Sequence, residues 1–237
     1  MTLFLGRWQD HPLPNYDHVI TDPPYGERCH AGQKWKTDGS PSSERYRRMT
    51  RSRDSISTQG LGYEHLTEDD VLELVARTAP KCGGWWCAMT SHDLVPVYER
   101  ALGDAGRYVF APIACVQPGQ NVRLAGDGPS NWTVWMVVSR RREADAAKWG
   151  ALPGAYVVSP ERGAAGVAGA KPLDLMCAIV RDYSRVGDVI LEPYAGSGTT
   201  LVAAEMLGRS AIGYEVRPEA YRIAQARLES PVQRVML

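Results

Sequence analysis

Asp188-Val189-Ile190-Leu191-Glu192-Pro193-Tyr194-Ala195-Gly196-Ser197-Gly198-Thr199-Thr200 reads as a strand, a tight glycine turn and the first turn of a helix. Val189, Ile190 and Leu191 form the short apolar run of a buried parallel strand. Gly196 and Gly198 permit backbone angles and close approaches that a side chain would block. A helix then opens at Thr199 and continues through Leu201, Val202, Ala203, Ala204, Met206 and Leu207. Ser210-Ala211-Ile212-Gly213-Tyr214-Glu215 follows as a second strand that ends in an acid. The spacing from Gly196 to Glu215 is the ~20 residues at which such an acid meets a ribose in dinucleotide-type folds. The lysine and hydroxyl of a P-loop are missing, and Glu192 would repel a pyrophosphate, so the turn suits a cationic or amine-bearing ligand.

A second informative stretch lies near the amino terminus. Tyr16-Asp17-His18-Val19-Ile20-Thr21 is a strand candidate that runs directly into Asp22-Pro23-Pro24-Tyr25-Gly26. Two consecutive prolines continue neither a ladder nor a helix, and each holds the residue before it extended. The result is a stiff turn at the carboxyl end of a strand, where open α/β sheets bind ligands. It offers a carboxylate, a backbone carbonyl with no neighbouring N–H to compete, and an aromatic ring. That set grips a planar group bearing an amine.

The totals bound the reading. The chain has 237 residues, 44% of them hydrophobic and 23% charged, enough for one α/β domain with a small insertion. Twenty-seven basic residues balance 27 acidic ones, so no global charge points to nucleic acid. The distribution is uneven, however. Between residues 28 and 53, Arg28, Lys34, Lys36, Arg45, Arg47, Arg48, Arg51 and Arg53 stand against only Asp38 and Glu44, with Trp35 and Tyr46 interleaved. Residues 28–60 show no helical or strand period; a long basic loop bearing aromatics suits phosphate-backbone contact. Arg140, Arg141 and Arg142 begin a second basic patch. Five widely spaced cysteines (Cys29, Cys82, Cys87, Cys115, Cys177) read as free thiols in a reducing compartment and give no zinc spacing. No apolar run reaches the ~20 residues of a membrane span, and no targeting pattern opens the chain.

The remaining elements alternate. Leu3-Phe4-Leu5 is an edge-strand candidate. Thr67 caps a helix with Val71, Leu72, Leu74, Val75 and Ala79 on its apolar face, and Pro80 stops it. Trp85 to Met89 is a strand; Ser91 is expected to cap the helix carrying Leu94, Val95, Tyr98 and Leu102. Arg107 to Val116 and Asn131 to Val138 are further strands. Residues 143–170 are Gly-, Ala- and Pro-rich with one strand-like piece, Tyr156-Val157-Val158, and read as a small insertion. A helix follows Lys171-Pro172-Leu173, and the last helix runs from Pro218 to about Leu228. Alternating strands and helices predict a mainly parallel sheet covered on both faces.

With both stretches in hand, the sequence resembles the S-adenosylmethionine-dependent amino-group DNA methyltransferases. Asp22-Pro23-Pro24-Tyr25 is similar to their catalytic motif. Lys171-Pro172-Leu173 and Gly187 through Thr200, continued by Gly208-Arg209, Ile212-Gly213, Glu215, Tyr221, Ala224 and Arg227-Leu228, are similar to their cofactor region. The catalytic motif comes first, as in the circularly permuted β class. The resemblance therefore implies a single domain with a Rossmann-like methyltransferase fold of seven strands. Three features depart from the pattern: Glu192 replaces the usual Asp, Tyr194 the usual Phe, and Arg7 follows Gly6 where an acid is usual. The target-recognition position, 143–170, is short.

The implied roles follow. Asp22 and the Pro23 carbonyl would accept the two N–H bonds of an exocyclic base amine, Pro24 would stiffen the turn and Tyr25 would stack on the base. Lys171, Glu192, Pro193, Tyr194, Ala195, Gly196, Ser197, Gly198, Thr199, Thr200 and Glu215 would form the cofactor site, Lys171 meeting the cofactor carboxylate and Glu215 the ribose. The partner would be double-stranded DNA with one base flipped out. The protein would be a monomer or homodimer with no metal or membrane attachment, acting in the cytoplasm of a prokaryotic or phage-infected cell. Adenine N6 is the first choice of target, because in this family Asp at the first motif position more often accompanies adenine. The alternatives are cytosine N4, an RNA target, and a binding protein that has lost catalysis.

Overall fold

A computed structural model of the chain describes residues 1–27, 64–118, 132–143, 149–159 and 170–230. The basic loop with Lys34, Lys36, Arg45, Arg47, Arg48, Arg51 and Arg53 lies outside the described residues, as do Cys29 and much of the expected insertion.

Nine strands and five helices follow one another among the described residues. They are β1 (Thr2–Leu5), β2 (His18–Thr21), α1 (Glu68–Thr78), β3 (Trp86–Thr90), α2 (Val95–Asp104), β4 (Arg107–Val109) and β5 (Ile113–Val116). The remainder are β6 (Thr133–Arg141), β7 (Ala155–Val157), α3 (Leu173–Tyr183), β8 (Val189–Glu192), α4 (Thr199–Met206), β9 (Ser210–Glu215) and α5 (Pro218–Glu229). The sheet order is β1-β9-β8-β2-β3-β6-β5-β7, with β4 also paired to β6. Strands β1, β9, β8, β2 and β3 are parallel, whereas β6 is antiparallel to β3, β4 and β5.

The expected count of seven strands becomes nine for two physical reasons. The single strand expected over 107–116 is interrupted between Val109 and Ile113, where Pro112 has no N–H to give to β6. The strand-like piece in the insertion is real: Ala155–Val157 pairs in parallel with β5.

Strand alternation divides the core. Ile20, Cys87, Met89, Met136, Val138 and Ile190 point to the face covered by α3 and α4. Val19, Trp86, Ala88, Val137 and Leu191 point to the face covered by α1 and α2. Helix α1 begins in a capping box: Thr67 and Asp70 bond each other's backbone N–H. Its Val71, Leu74, Val75 and Thr78 are buried at helical spacing. Thr78 satisfies two aromatic polar tips, accepting from the Trp86 indole N–H at 2.9 Å and, through its carbonyl, from the Tyr16 hydroxyl at 2.7 Å. Helix α2 starts later than expected, at Val95 after Leu94, with Pro96 in its first turn. Ser91 therefore does not cap it and serves a different neighbour, described below.

At the amino ends of the strands, buried His18 joins three segments. Its Nε2 lies 2.9 Å from Asp188 Oδ2, and its Nδ1 accepts from the Trp85 N–H at 2.9 Å. That pattern fixes the neutral tautomer with the proton on Nε2. Burial lowers the His18 pKa, against the opposing pull of Asp188. The folded value lies below the ordinary 6.5, so this contribution to stability is complete above about pH 6.5 and is lost as pH falls through the folded value. Chemical denaturation of wild type and His18→Gln across this range is expected to show the acid-side loss in wild type and a flatter profile in the variant.

Candidate active site

The pairing register brings the two informative stretches together. In the parallel pair β2–β8, Val19 lies opposite Leu191. The next residues of both strands leave the sheet at the same rim, so Asp22–Tyr25 and Pro193–Gly198 are neighbouring turns. On the other side of β8, Glu192 lies opposite Gly213 of β9, which ends at Glu215. Three adjacent parallel strands thus deliver Asp22, the glycine turn and Glu215 to one rim, as expected of an open α/β sheet.

Glu192 fastens the two turns. It is 1% exposed. Its Oε1 accepts from the Thr21 hydroxyl at 2.5 Å and the Tyr194 N–H at 3.1 Å, and its Oε2 from the Thr200 hydroxyl at 2.8 Å. Burial pushes its carboxyl up to about 8, although these three donors pull the other way. The expected ligand contact for Glu192 is therefore corrected: its oxygens are turned inward, onto the end of β2 and the start of α4. Thr21, which the sequence reading passed over, is the β2 half of this clamp.

The glycines divide their work. Gly196 adopts φ +54° and a Cβ there would meet nothing within 4 Å, so the turn is open above it. Its N–H donates to Glu215 Oε2 at 2.8 Å. Gly198 adopts φ +78° and a Cβ would lie 3.0 Å from the Ala224 Cβ on α5. Gly213 allows α4 to approach β9, because a Cβ there would stand 2.9 Å from Leu201. Gly198→Ala combines a positive φ with a clash and is expected to lower stability by ~2 kcal/mol. Gly196→Ala, strained but unobstructed, is expected to cost less and to weaken ligand binding more. Thermal melts and titration with S-adenosylhomocysteine would separate the two effects.

The rest of the turn is held from below. The Arg227 guanidinium donates to the Ser197 carbonyl at 2.7 Å, to the Ser197 hydroxyl at 3.1 Å and to Thr199 Oγ1 at 3.0 Å. The Ala195 N–H donates to the Tyr214 carbonyl at 2.8 Å. Pro193 and Ala195 are buried and Tyr194 is half-buried. Glu215 also accepts from the Arg217 backbone N–H at 2.8 Å and its Nε at 3.1 Å, so the acid that ends β9 carries its own arginine. Sequence reading missed Arg217, although its place two residues after the acid was visible.

At the turn after β2, Asp22 Oδ1 accepts from the Tyr25 hydroxyl at 3.0 Å, and Asp22 Oδ2 lies 2.7 Å from Lys171 Nζ. The Lys171 ammonium is also 4.8 Å from the Tyr25 ring centroid. Lys171, expected on the cofactor side, thus rests on the Asp22–Tyr25 turn. Pro23 is buried and Pro24 half-buried. Ser91, beyond the carboxyl end of β3, accepts from the Gly26 N–H at 3.0 Å, and a Cβ on Gly26 would lie 2.3 Å from Asp93 Oδ2. These two residues support the turn from the third strand.

The second basic patch lies elsewhere. Because β6 is antiparallel to β3 with Ser139 opposite Trp86, Arg140, Arg141 and Arg142 fall at the amino ends of the parallel strands, the rim opposite Asp22. Arg141 donates to the Cys82 and Pro80 carbonyls, closing the end of α1 with buried Arg107. Arg140 stacks over Tyr108. These three arginines, expected to contact nucleic acid, thus lie on a different rim from the Asp22 and Gly196 turns. Among the described residues, no group of three or more His, Cys, Asp or Glu is placed to hold a metal ion, and no helix is long and apolar enough to cross a membrane.

The strand order and the shared rim define the class: a Rossmann-like methyltransferase fold. Residues 126–226 match the family model described as DNA methylase. Type II methyltransferase M.HindIII of Haemophilus influenzae is 47% identical over 58 residues, 24% of this chain and 19% of that protein. Type II methyltransferase M2.DpnII of Streptococcus pneumoniae is 45% identical over 60 residues, 25% of this chain and 22% of that protein. The matched stretch thus spans about a fifth of the length of these curated relatives. Among solved structures, the M1.HpyAVI–SAM complex superposes with a TM-score of 0.66 at 20% identity, covering 96% of this chain and 99% of that one. PvuII DNA methyltransferase, described as cytosine-N4-specific, gives 0.61 at 16% identity, covering 98% and 88%. The chain thus resembles the amino-group DNA methyltransferases over residues 126–226 and shares their fold.

Proposed function

We propose that the protein transfers a methyl group from S-adenosylmethionine to the exocyclic N6 of adenine in double-stranded DNA at a specific site, with motif order of the β class. The observation that carries this reading is the β2–β8 register, fastened by Glu192, which sets an amine-accepting turn beside an open glycine turn. The chemistry of the donor set fits the cofactor: an acid for ribose hydroxyls (Glu215), open backbone at Gly196, and a cation for a carboxylate (Lys171). Backbone from Tyr194 to Gly198 would border its methionine part, with Ser197 and Thr199 steadied by Arg227. Bound S-adenosylmethionine supplies a methyl carbon made electrophilic by its sulfonium.

The chain's own residues do the rest. An exocyclic amine is a poor nucleophile because its lone pair is drawn into the ring. Asp22 and the Pro23 carbonyl accept its two N–H bonds, which favours a tetrahedral nitrogen and frees that lone pair. Pro24 leaves the Pro23 carbonyl without a competing N–H. Tyr25 stacks on the base and holds nitrogen in line, so positioning provides much of the rate. Once nitrogen gains its fourth bond, Asp22 accepts the departing proton at a carboxylate oxygen. Extruding the base costs a few kcal/mol, which contacts from the basic 28–60 loop to the DNA backbone would help to offset. The site of action would be the cytoplasm of a prokaryote, as part of restriction–modification, with a monomeric or homodimeric enzyme.

A second reading, cytosine N4, is favoured by the structural likeness to a protein described as cytosine-N4-specific. Mass spectrometry of nucleosides from treated plasmid tests both. N6-methyladenine supports the proposal and N4-methylcytosine the second reading. Methylation confined to single-stranded RNA would replace DNA as the substrate. Binding of S-adenosylhomocysteine with no methylated product from any nucleic acid would mark a non-catalytic homologue.

A further inference from the structure

Lys171 stands on two things that a target base needs. Its ammonium is 2.7 Å from Asp22 Oδ2, the acceptor for an amine N–H, and 4.8 Å from the centroid of Tyr25, the stacking face. The other Asp22 oxygen is engaged by the Tyr25 hydroxyl at 3.0 Å. An ammonium offers N–H donors much as the base amine does, so the lysine fills the amine's place in the closed turn. The side chain is only 9% exposed. A cation that buried leaves one anion readily only for another.

The fold supplies a route to a second anion. Lys171 immediately precedes α3, which packs along α4. Helix α3 runs into the turn that carries Asp188, at the amino end of β8, so its own start is at the carboxyl rim. Helix α4 also starts at that rim, from Gly198. Lys171 and the glycine turn therefore sit at the starts of two neighbouring helices, and a flexible four-carbon stem lets the ammonium shift between them.

We infer that Lys171 is a positioning residue shared by two carboxylates. It covers Asp22 until the cofactor arrives, then turns to the cofactor's own carboxylate and uncovers Asp22 and Tyr25 for the base. The inference rests on the cofactor reading proposed above. It couples the two ligands positively, because each favours the same lysine position. It also makes the cofactor compete with Asp22 for Lys171, which lowers apparent cofactor affinity by the fraction of molecules whose lysine is released.

Calorimetric titration of the full chain tests this without any DNA. S-adenosylhomocysteine keeps the carboxylate; 5′-methylthioadenosine lacks the amino-acid portion. Asp22→Asn is expected to tighten S-adenosylhomocysteine by about fivefold, and Lys171→Met to weaken it. In the double variant the gain from Asp22→Asn disappears, and 5′-methylthioadenosine binds alike to all four proteins. Lys171→Gln serves as the second variant if Lys171→Met does not fold. Unchanged or weaker binding in Asp22→Asn, or a gain that persists without Lys171, overturns the inference while leaving the cofactor reading intact. Failure of wild type to bind S-adenosylhomocysteine would overturn the cofactor reading itself.

Discussion

Asp22→Ala is expected to slow methyl transfer by about a thousandfold, with the cofactor product still bound and the fold intact. The magnitude follows from what the residue does. Removing it leaves the Pro23 carbonyl as the only acceptor for two N–H bonds and removes the group placed to take the proton. Asp22→Asn keeps one acceptor oxygen but loses the second and cannot take up the proton, so it should also be slow despite its matching shape. Both changes should cost some stability, because they strip the largely buried Lys171 ammonium of its carboxylate, but should leave the fold in place: the Asp22 side chain is 20% exposed and, among the described residues, bonds Tyr25 and Lys171. Single-turnover rates with thermal melts check this. A loss of rate that tracked a loss of melting temperature would assign Asp22 to structure instead.

The second large effect concerns folding. Glu192→Ala is expected to lower stability by ~3 kcal/mol, because the Thr21 hydroxyl, the Thr200 hydroxyl and the Tyr194 N–H lose their shared buried acceptor. Glu192→Gln should be far milder. Burial pushes the Glu192 carboxyl up to about 8, which favours the uncharged acid, and glutamine resembles that form. The linkage has a definite sign. A carboxyl whose folded pKa exceeds its unfolded value contributes fully below the unfolded value of 4.5 and loses that contribution as pH rises through about 8. Wild type should therefore weaken from this source between those limits, and Glu192→Gln should not. Urea denaturation of both proteins across that window reads the difference as a divergence in slope. Parallel profiles would show that the acid is already ionised in the native state. The His18 contribution runs the opposite way, fading toward acid, so the double variant Glu192→Gln, His18→Gln should be flatter on both sides.

Much of the rim was legible because its parts are local. A strand, a glycine turn and a helix start occupy consecutive residues in 188–200, and Asp22-Pro23-Pro24-Tyr25 carries its stiffness in its own prolines. The capping box at Thr67 and Asp70 is likewise written within four residues. What joins these pieces is a pairing register between residues far apart in the chain, and no local pattern encodes it. Glu192 shows the consequence. Its charge was plain, but its inward aim depends on Thr21 lying across the β2–β8 pair. Lys171 was visible as a cation, yet which carboxylate it meets is decided by where α3 begins. The placement of the three arginines at 140–142 was hidden for a related reason. Charge along a strand carries no direction, and the reversal of β6 sends them to the far rim, where Arg141 closes the end of α1. The split of β4 from β5 could have been read from Pro112, whose missing N–H is a local fact.

In the proposed mechanism the Asp22 turn and the Gly196 turn form one reaction cleft. A crystal structure of the protein with S-adenosylhomocysteine measures this directly. The ribose hydroxyls are expected at Glu215, the homocysteine part along Tyr194–Gly198, and the sulfur facing the space between Asp22 and the Pro23 carbonyl. A cofactor product bound away from Gly196, or with its sulfur turned from Asp22 and screened by protein, would contradict it.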